Sequence, residues 1–466
     1  MNKCKNNVGL GPVSAQNGIT LIALVITIIV MLILVAVTIS MAVNGGLFEY
    51  ASNAGTQTNA AVDAEQEFAN LEAGMTVDQL IDKYTGETGT GGELPAYSAD
   101  LLDSETKVLT KKATYTKTEN GKTYTAVIPK GFAISKIANE QTIVNGLVIT
   151  DKVDSDGNSI GNEFVWIPVS KAIVTEAEIA KIKENSNDAD MTDLEAVQSL
   201  VNSGTYPMAV QDGTNYKGIL YDFTQNADNT LTVTVKDWNT TDSYREPANL
   251  EDNYYDYSTY STLDFKFDSQ EAFTKHGLGT FTNTLYQEAF DKMVKSVADN
   301  GGFYVGRYEI SNENGLDYIE TKKDKTALVS TTWYEMYKLE RAYAEKNTGL
   351  GVTSEMIWGS QWDQMMLFVN GKNDGATTPA PFYVAKTGNR YSGDLSTKTG
   401  MNTKDEVANI FDLEASRIEW TQEARSSDSR ASRGGNCDFS GEASGRNYSS
   451  PSGDCSYSSR AALYLQ

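Results

Sequence analysis

The sequence predicts an α+β protein that begins with a long transmembrane helix. No charged residue lies between Lys5 and Glu49, and an almost unbroken apolar run extends from Ile19 to Val43. At a helical rise of about 1.5 Å per residue, this run spans about 37 Å, which is enough to cross a bilayer with some tilt. Runs of β-branched and aromatic residues follow later, and after them come helix-capping sequences. These patterns predict strands and helices in one large domain.

Charge and composition exclude several classes of partner and chemistry. The formal net charge is −23, from 39 basic and 62 acidic residues, and a surface of this sign repels phosphate backbones. We therefore expect no nucleic acid partner. The single histidine, His276, lies in a polar turn, whereas catalytic triads and histidine-ligated metal sites need an imidazole in a defined place. We expect no catalytic residue, no metal and no cofactor.

The N-terminal part divides into a membrane segment and a linker. Two lysines precede the apolar run and the acidic bulk follows it, which predicts an N-terminus inside the cell and the remainder outside. Residues 19–84 are expected to form the transmembrane helix and a helical stalk. Residues 85–95 include four glycines and predict a flexible linker. Residues 96–466 then form the C-terminal domain.

Within that domain, strands are predicted at 124–128, 142–149, 164–169 and 302–310. Residues 171–300 are predicted to be an insertion in this domain. Thr332 and Ser360 each begin a capping-box sequence, which predicts a helix after each of them. An acidic loop after residue 151 follows part of the EF-hand spacing, but Lys152 occupies the first ligand position. We therefore interpret it as a hairpin with an Asp-Gly turn.

A glycine lies immediately before the apolar run. Asn17-Gly18-Ile19-Thr20 follows a short basic leader and resembles the cleavage segment of type IV prepilins, over about residues 1–55. The resemblance implies that prepilin peptidase removes residues 1–18 by cutting after Gly18, which leaves Ile19 as the first mature residue. Type IV pilins usually carry a glutamate at the fifth mature position, where this chain has Ala23. The resemblance thus favours a minor or tip pilin, or a membrane anchor, with other pilins as partners.

The segment 426–459 has the composition of a set of binding loops. Its 34 residues include 12 Ser and 5 Gly, but no Leu, Ile, Val, Lys, Gln, Met or Trp. Small hydroxyl and amide side chains make adaptable hydrogen bonds, as in antibody binding loops. A disordered tail has a similar composition, but this chain ends in the apolar residues 461–465, which predict a buried closing strand. We therefore interpret the segment as loops framed by Trp420 and that strand.

Short motifs in a fixed order resemble the formylglycine-generating-enzyme-like branch of the C-type lectin fold. The resemblance covers about residues 120–466 without the insertion, and its motifs include Glu163-Phe164-Val165-Trp166, Glu419-Trp420-Thr421, Arg433-Gly434-Gly435 and Ser459-Arg460-Ala461. The oxidising enzymes of this branch bind copper through two close cysteines after the Arg-Gly-Gly motif. Here Cys437 and Cys455 are 18 positions apart. The resemblance therefore favours a binding protein, with a formylglycine-generating-type oxidase as the alternative.

This branch includes the variable proteins of diversity-generating retroelements, whose C-terminal codons are rewritten at adenines. Such rewriting of asparagine codons never yields Lys, Gln, Glu, Trp or Met, and within 426–459 only Glu442 belongs to that set. The resemblance implies a fixed scaffold at Trp420, Arg433, Gly434, Gly435, Arg446 and Arg460. It implies exposed, variable ligand contacts at Ser427, Asp428, Ser432, Asn436, Cys437, Phe439, Asn447, Asp454, Ser456 and Tyr457.

These resemblances imply a pilin-like protein of the bacterial cell surface, anchored in the membrane or held in a pilus, with its C-terminal domain outside the cell. Its diversified loops would bind an unknown protein or carbohydrate ligand. A structural minor pilin with an inert head is a further alternative. Cys437 and Cys455 either form an extracellular disulfide or are chance products of diversification, and the sequence leaves both open.

Overall fold

The structure is a computed structural model. It describes residues 101–186, 188, 190–228, 230–236, 254–255, 266–267, 273–280, 282–370, 398–401, 406–413, 417–426, 429–435, 443–451 and 457–466. The chain divides into two units, Met1–Gly89 and Thr90–Gln466, and all the described residues belong to the second.

The strands, in chain order, are β1 Ala113–Glu119, β2 Lys122–Ile128, β3 Ala133–Ile134, β4 Val148–Thr150, β5 Glu163–Pro168, β6 Ile173–Val174, β7 Ala209–Asp212, β8 Asn215–Gly218, β9 Tyr221–Gln225, β10 Leu231–Val235, β11 Tyr254–Tyr255, β12 Lys266–Phe267, β13 Gly302–Gly306, β14 Val352–Met356, β15 Glu419–Ser426, β16 Ser429–Arg433, β17 Arg446–Ser449, β18 Ser458–Ser459 and β19 Ala461–Leu465. The α-helices are α1 Glu176–Ser186, α2 Asp193–Asn202, α3 Asn283–Asn300, α4 Trp333–Lys346 and α5 Gly359–Val369.

The structure corrects the predicted fold class, which was an α+β chain with a long transmembrane helix ahead of a C-type lectin domain with an insertion. The described residues form a mixed α/β structure, and none of their helices is both long and apolar enough to cross a bilayer. The longest of them, α3, is amphipathic: Phe290 and Val294 are buried, while Lys292 and Lys295 are exposed. The apolar run 19–43 lies outside the described residues.

A six-stranded antiparallel sheet in the order β14-β19-β13-β5-β4-β3 forms the centre of the described part. The predicted closing strand is confirmed as β19, whose five residues are all buried between β14 and β13. The strands predicted at 124–128 and 164–169 are also confirmed, as β2 and β5. The prediction at 142–149 was too long. Only its end belongs to β4, because Glu119 accepts the backbone N–H groups of Ile143 and Val144 ahead of that strand.

The predicted helix starts are correct at one position and shifted at the other. The Thr332 hydroxyl accepts the backbone N–H of Glu335 at 3.2 Å, and α4 begins at the next residue. The prediction that Ser360 caps α5 is wrong, because the helix already includes it. The Gln361 side chain reaches back instead and accepts the backbone N–H of Trp358 at 3.0 Å.

The segment 171–300 contributes to two separate cores. Strands β6, β7, β9 and β10 and helices α1 and α2 contribute to a separate apolar cluster, which includes Val174, Val197 and Tyr221. We call residues 171–235 the accessory lobe. Helix α3 belongs instead to the main core, where Tyr286 and Phe290 pack on Trp358. Ala172, Met208 and Phe273 also belong to the main core, so the predicted insertion does not pack as one separate unit.

The second sheet of interest, the C-terminal sheet, has the strand order β17-β16-β15-β18. Strand β16 pairs antiparallel with both β15 and β17, and β18 pairs parallel with β15. Strands β17 and β18 are its two edges, so the chain leaves the sheet at one edge and re-enters it at the other. Within 427–459, this sheet contains residues 429–433, 446–449 and 458–459.

Candidate ligand-binding surface

Three of the ten predicted ligand contacts belong to the described residues. Asn447 lies in β17, Ser432 in β16, and Tyr457 immediately before β18. The other contacts and the processing residues lie outside the described residues: Ser427, Asp428, Asn436, Cys437, Phe439, Asp454 and Ser456, together with Gly18 and Ile19.

Asn447, Ser432 and Trp420 form one row across the C-terminal sheet. They are register partners on β17, β16 and β15, so their side chains share a face. Asn447 is exposed at the edge, whereas Ser432 and Trp420 are completely buried. The expectation that Ser432 is exposed is therefore wrong, because β16 is an inner strand. Ser432 Oγ and Trp420 Nε1 have no hydrogen-bond partner in the described part of the chain.

Tyr457 ties the start of β18 to β17. Its ring centroid lies 4.9 Å from that of Trp420, with the planes at 66°, and its hydroxyl lies 3.0 Å from Ser449 Oγ. Edge-to-face contacts of this kind are favourable for aromatic pairs. Tyr457 is partly buried, so part of its side chain is open to solvent. It therefore packs against the buried Trp420 while keeping part of its side chain available for contact.

Beneath the sheet lies a cluster of two arginines and two carboxylates, which we call the buried charge network: Arg433, Arg446, Asp363 and Glu423. Arg433 Nη2 lies 2.6 Å from one oxygen of Asp363, and Arg446 Nη2 lies 3.1 Å from the other. Arg446 Nε also lies 2.9 Å from Glu423. The side chains of Arg433, Asp363 and Glu423 are completely buried. Two positive charges meet two negative ones, so the network is electrically balanced.

Burial and ion pairing shift the pKa values of this network in opposite directions. Burial raises the pKa of Glu423, and Arg446 and Arg433 limit the rise. Burial alone would lower the pKa of Arg446, but Glu423 and Asp363 outweigh it and raise that pKa further. Removing one member would leave a buried charge without its counterion, which is the costly case for an ion pair.

The buried charge network holds both ends of the connection between β16 and β17. Arg433 ends β16, Arg446 begins β17, and the two are register partners. Residues 436–442 belong to the connection between them. Next to Arg433, Gly434 has a φ of +78°, and a Cβ built there would lie 2.8 Å from the carbonyl oxygen of Leu413. A glycine is therefore required at the point where the chain leaves β16.

A second buried cluster joins the C-terminal sheet to the six-stranded sheet. Arg460 donates from Nε and Nη2 to the Glu419 carboxylate at 3.0 and 2.6 Å. It also donates to the carbonyl oxygens of Gly306 and Phe411, both at 2.8 Å. Burial raises the pKa of Glu419 to about 7, although Arg460 opposes the rise, and burial raises the pKa of Asp412 to about 6. The predicted scaffold position Arg460 thus lies where the two sheets meet.

The accessory lobe contacts the buried charge network through β9. The backbone N–H of Tyr221 donates to Asp363 at 2.7 Å, and Asp222 lies 3.3 Å from Arg446. Sequence reasoning missed Asp363 and Glu423. Asp363 is the fourth residue of the capping-box sequence that starts at Ser360, and the only signal for its role is that it is the single charged residue of α5. Nothing in the sequence indicated that β9 lies beside Arg446.

Among the residues that the structure describes, no group of three or more His, Cys, Asp or Glu side chains is placed to hold a metal ion. Comparison with known proteins finds no matching family model, curated protein or solved structure.

The described strands of the C-terminal sheet and the ion pairs beneath them form a frame. Its buried ion pairs fix strands whose connections contain small polar residues.

Proposed function

We propose that the C-terminal sheet presents a diversified surface for ligand binding. The observation that carries this proposal is the buried charge network beneath it. Because Arg433 and Arg446 are held by Asp363 and Glu423, the strands on either side of residues 436–442 are fixed by contacts that do not involve those residues. A connection framed in this way tolerates changes in its own sequence better than the strands do.

The composition of the segment supports binding by many small polar contacts. Residues 436–442 include Asn436, Cys437 and Phe439, and the exposed Asn447 lies on the strand that follows. Such loops use adaptable hydrogen bonds and a few aromatic anchors, here Phe439 and the open part of Tyr457. The ligand class that we propose is a protein or a carbohydrate. The resemblance to variable proteins of diversity-generating retroelements supports a changing rather than a fixed ligand.

Sequencing the gene and its flanking DNA in sibling isolates tests this function. We expect a near-copy of the 3′ end that differs only at adenines, beside a reverse transcriptase gene. We also expect amino-acid differences at positions such as Asn436 and Asn447, with Arg433 and Arg446 unchanged. Identical residues throughout 426–459, with no such copy, would overturn diversification and leave a structural pilin with an inert head.

Display of this surface outside the cell is a separate part of the proposal, and it rests on the leader sequence. Prepilin peptidase is the processing partner that we propose, and other pilins are the assembly partners. Gly18→Ala should abolish the shorter mature form that mass spectrometry detects, whereas Gly11→Ala, within the same leader, should not. A mature form that begins at Ile19 in the Gly18→Ala variant would contradict this part.

A further inference from the structure

A cleft of about 580 Å³ lies between helices α3 and α4, on the edge of the six-stranded sheet. Leu285 from α3, Tyr337 and Arg341 from α4, Glu355 from β14 and Tyr464 from β19 all line it. These residues lie outside the C-terminal sheet, so the cleft is distinct from the surface described above. Clefts of this size hold small organic ligands.

Arg341 is a partly buried cation that lines this cleft. Its guanidinium carbon lies 5.5 Å from the ring centroid of Tyr337, and no ion pair involves it among the described residues. Tyr337, Glu355 and Glu345 raise its pKa against the effect of burial, so it stays charged. A guanidinium withdrawn from water gains from a carboxylate, which its planar fork can bind through two hydrogen bonds.

The buried carboxylate that lines the cleft, that of Glu355, already accepts hydrogen bonds from other residues. Glu355 accepts the hydroxyl of Tyr464 at 3.1 Å on one oxygen. Its other oxygen accepts Trp358 Nε1 at 2.8 Å and Gln422 Nε2 at 3.2 Å. Burial also raises the pKa of Glu355. Glu355 is thus engaged with other donors, and a carboxylate from solution can pair with the guanidinium of Arg341.

The other residues that line the cleft indicate which chemical groups a ligand would carry besides its carboxylate. Leu285 is 45% exposed, and Ala289 and Val352 extend the apolar wall beside it. Glu288 and Glu345 are exposed carboxylates that also line the cleft, and Lys292 is the one exposed lysine among the lining residues. Because the two carboxylates outnumber this ammonium group, the exposed lining favours a ligand with one negative charge over one with several.

We propose that this cleft binds a small organic monocarboxylate with an apolar body, whose carboxylate pairs with the guanidinium of Arg341. The apolar body lies against the wall that starts at Leu285. The site is independent of the C-terminal loops, so ligand binding there and diversification at 426–459 can be tested separately.

Calorimetric titration of the full chain with hexanoate tests this site, with hexanamide, hexylamine and citrate as comparisons. We expect saturable binding of hexanoate that is at least about tenfold tighter than that of the other three. Equal or tighter binding of the amide or the amine would overturn the role of the carboxylate. Absence of binding by hexanoate at millimolar concentration would overturn the proposal as a whole.

Two variants and a control assign the binding to this cleft. Arg341→Gln should weaken hexanoate binding at least about tenfold. Leu285→Trp fills the cleft from its exposed side and should weaken binding while leaving the melting temperature unchanged. Lys338→Gln removes an exposed charge from the same helix, outside the cleft lining, and should bind hexanoate like the unchanged protein. Undiminished binding by both cleft variants would place the ligand elsewhere.

Discussion

Arg433 and Asp363 form an ion pair at 2.6 Å in which both side chains are completely buried. Asp363 at the same time holds Arg446 and the backbone N–H of Tyr221. One carboxylate on α5 therefore joins two strands of the C-terminal sheet to the accessory lobe. The predictions that follow assume that these contacts hold the strands of the C-terminal sheet in place, whereas the sequence of the segments that connect the strands can change.

The first prediction concerns Asp363. Asp363→Ala leaves two buried arginines short of a counterion and should lower the free energy of unfolding by about 3–5 kcal/mol. Asp222→Asn is the matched control, because Asp222 also pairs with Arg446 but its side chain is 43% exposed. That change should cost less than about 1 kcal/mol. Urea unfolding measures both, and equal costs would contradict the role of the network.

The second prediction separates the connection from its frame. Replacing Asn436, Cys437 and Phe439 together with serine should change the free energy of unfolding by less than about 1 kcal/mol, because the proposed function assigns these side chains to ligand contacts and not to the frame. Gly434→Ala should cost more than about 2 kcal/mol, because its φ is positive and the new Cβ would meet the Leu413 carbonyl. A greater loss from the triple change than from Gly434→Ala in thermal or urea unfolding would contradict the frame hypothesis.

The third prediction concerns Ser432, whose buried hydroxyl has no partner among the described residues. Ser432→Ala should leave stability unchanged or raise it by about 1 kcal/mol, since no hydrogen bond is lost. Thr421 is the control on the neighbouring strand, because its buried hydroxyl donates to the carbonyl of Ala431 at 3.0 Å. Thr421→Val should cost about 1 kcal/mol. A loss at Ser432 that matches the loss at Thr421 in urea unfolding would show that its hydroxyl has a partner.

The fourth prediction is a pH dependence. Burial raises the pKa of Asp412 from 3.8 to about 6, so the folded protein holds a proton that the unfolded chain releases. The contribution of Asp412 to stability should therefore fall as pH rises from about 4 to about 6, by roughly 3 kcal/mol at 1.36 kcal/mol per pKa unit. Asp412→Asn should remove that part of the slope when urea unfolding is followed against pH.

Asp317 provides the control for this pH series. It is exposed, and Lys346 lowers its pKa through a hydrogen bond, so the carboxylate of Asp317 is ionised throughout that range. Asp317→Asn should therefore give a curve parallel to that of the unchanged protein. An Asp412→Asn curve with the full original slope would show that the Asp412 carboxyl does not titrate in this range.

The sequence predicted local features better than contacts between distant segments. The apolar residues 461–465 predicted β19, and Thr332 predicted the start of α4, because both depend on neighbouring residues alone. The burial of Ser432 was missed, because its depth depends on β17 covering an inner strand. Asp363 was missed for the same reason, since its partners lie 70 and 83 residues away in the chain.

The fold class was the largest error. It combined an apolar N-terminal run with motifs spread over residues 163–461, whereas the described residues form a mixed α/β structure without a helix suited to a bilayer. Short motifs such as Arg433-Gly434-Gly435 identified positions that are buried and held in place. They did not determine which strands pair, because strand order depends on the whole chain.

Paired libraries test the central claim most directly. One library diversifies the connections at Ser427, Asp428, Asn436, Cys437, Phe439, Asp454 and Ser456, and the other diversifies the frame at Arg433, Gly434, Arg446 and Arg460. Each is displayed, scored for protease resistance, and selected on protein and oligosaccharide targets. We predict that most members of the first library fold and that some bind, whereas most members of the second do not fold. A connection library that loses its fold as often as the frame library, or that yields no binder to either kind of target, would contradict the claim.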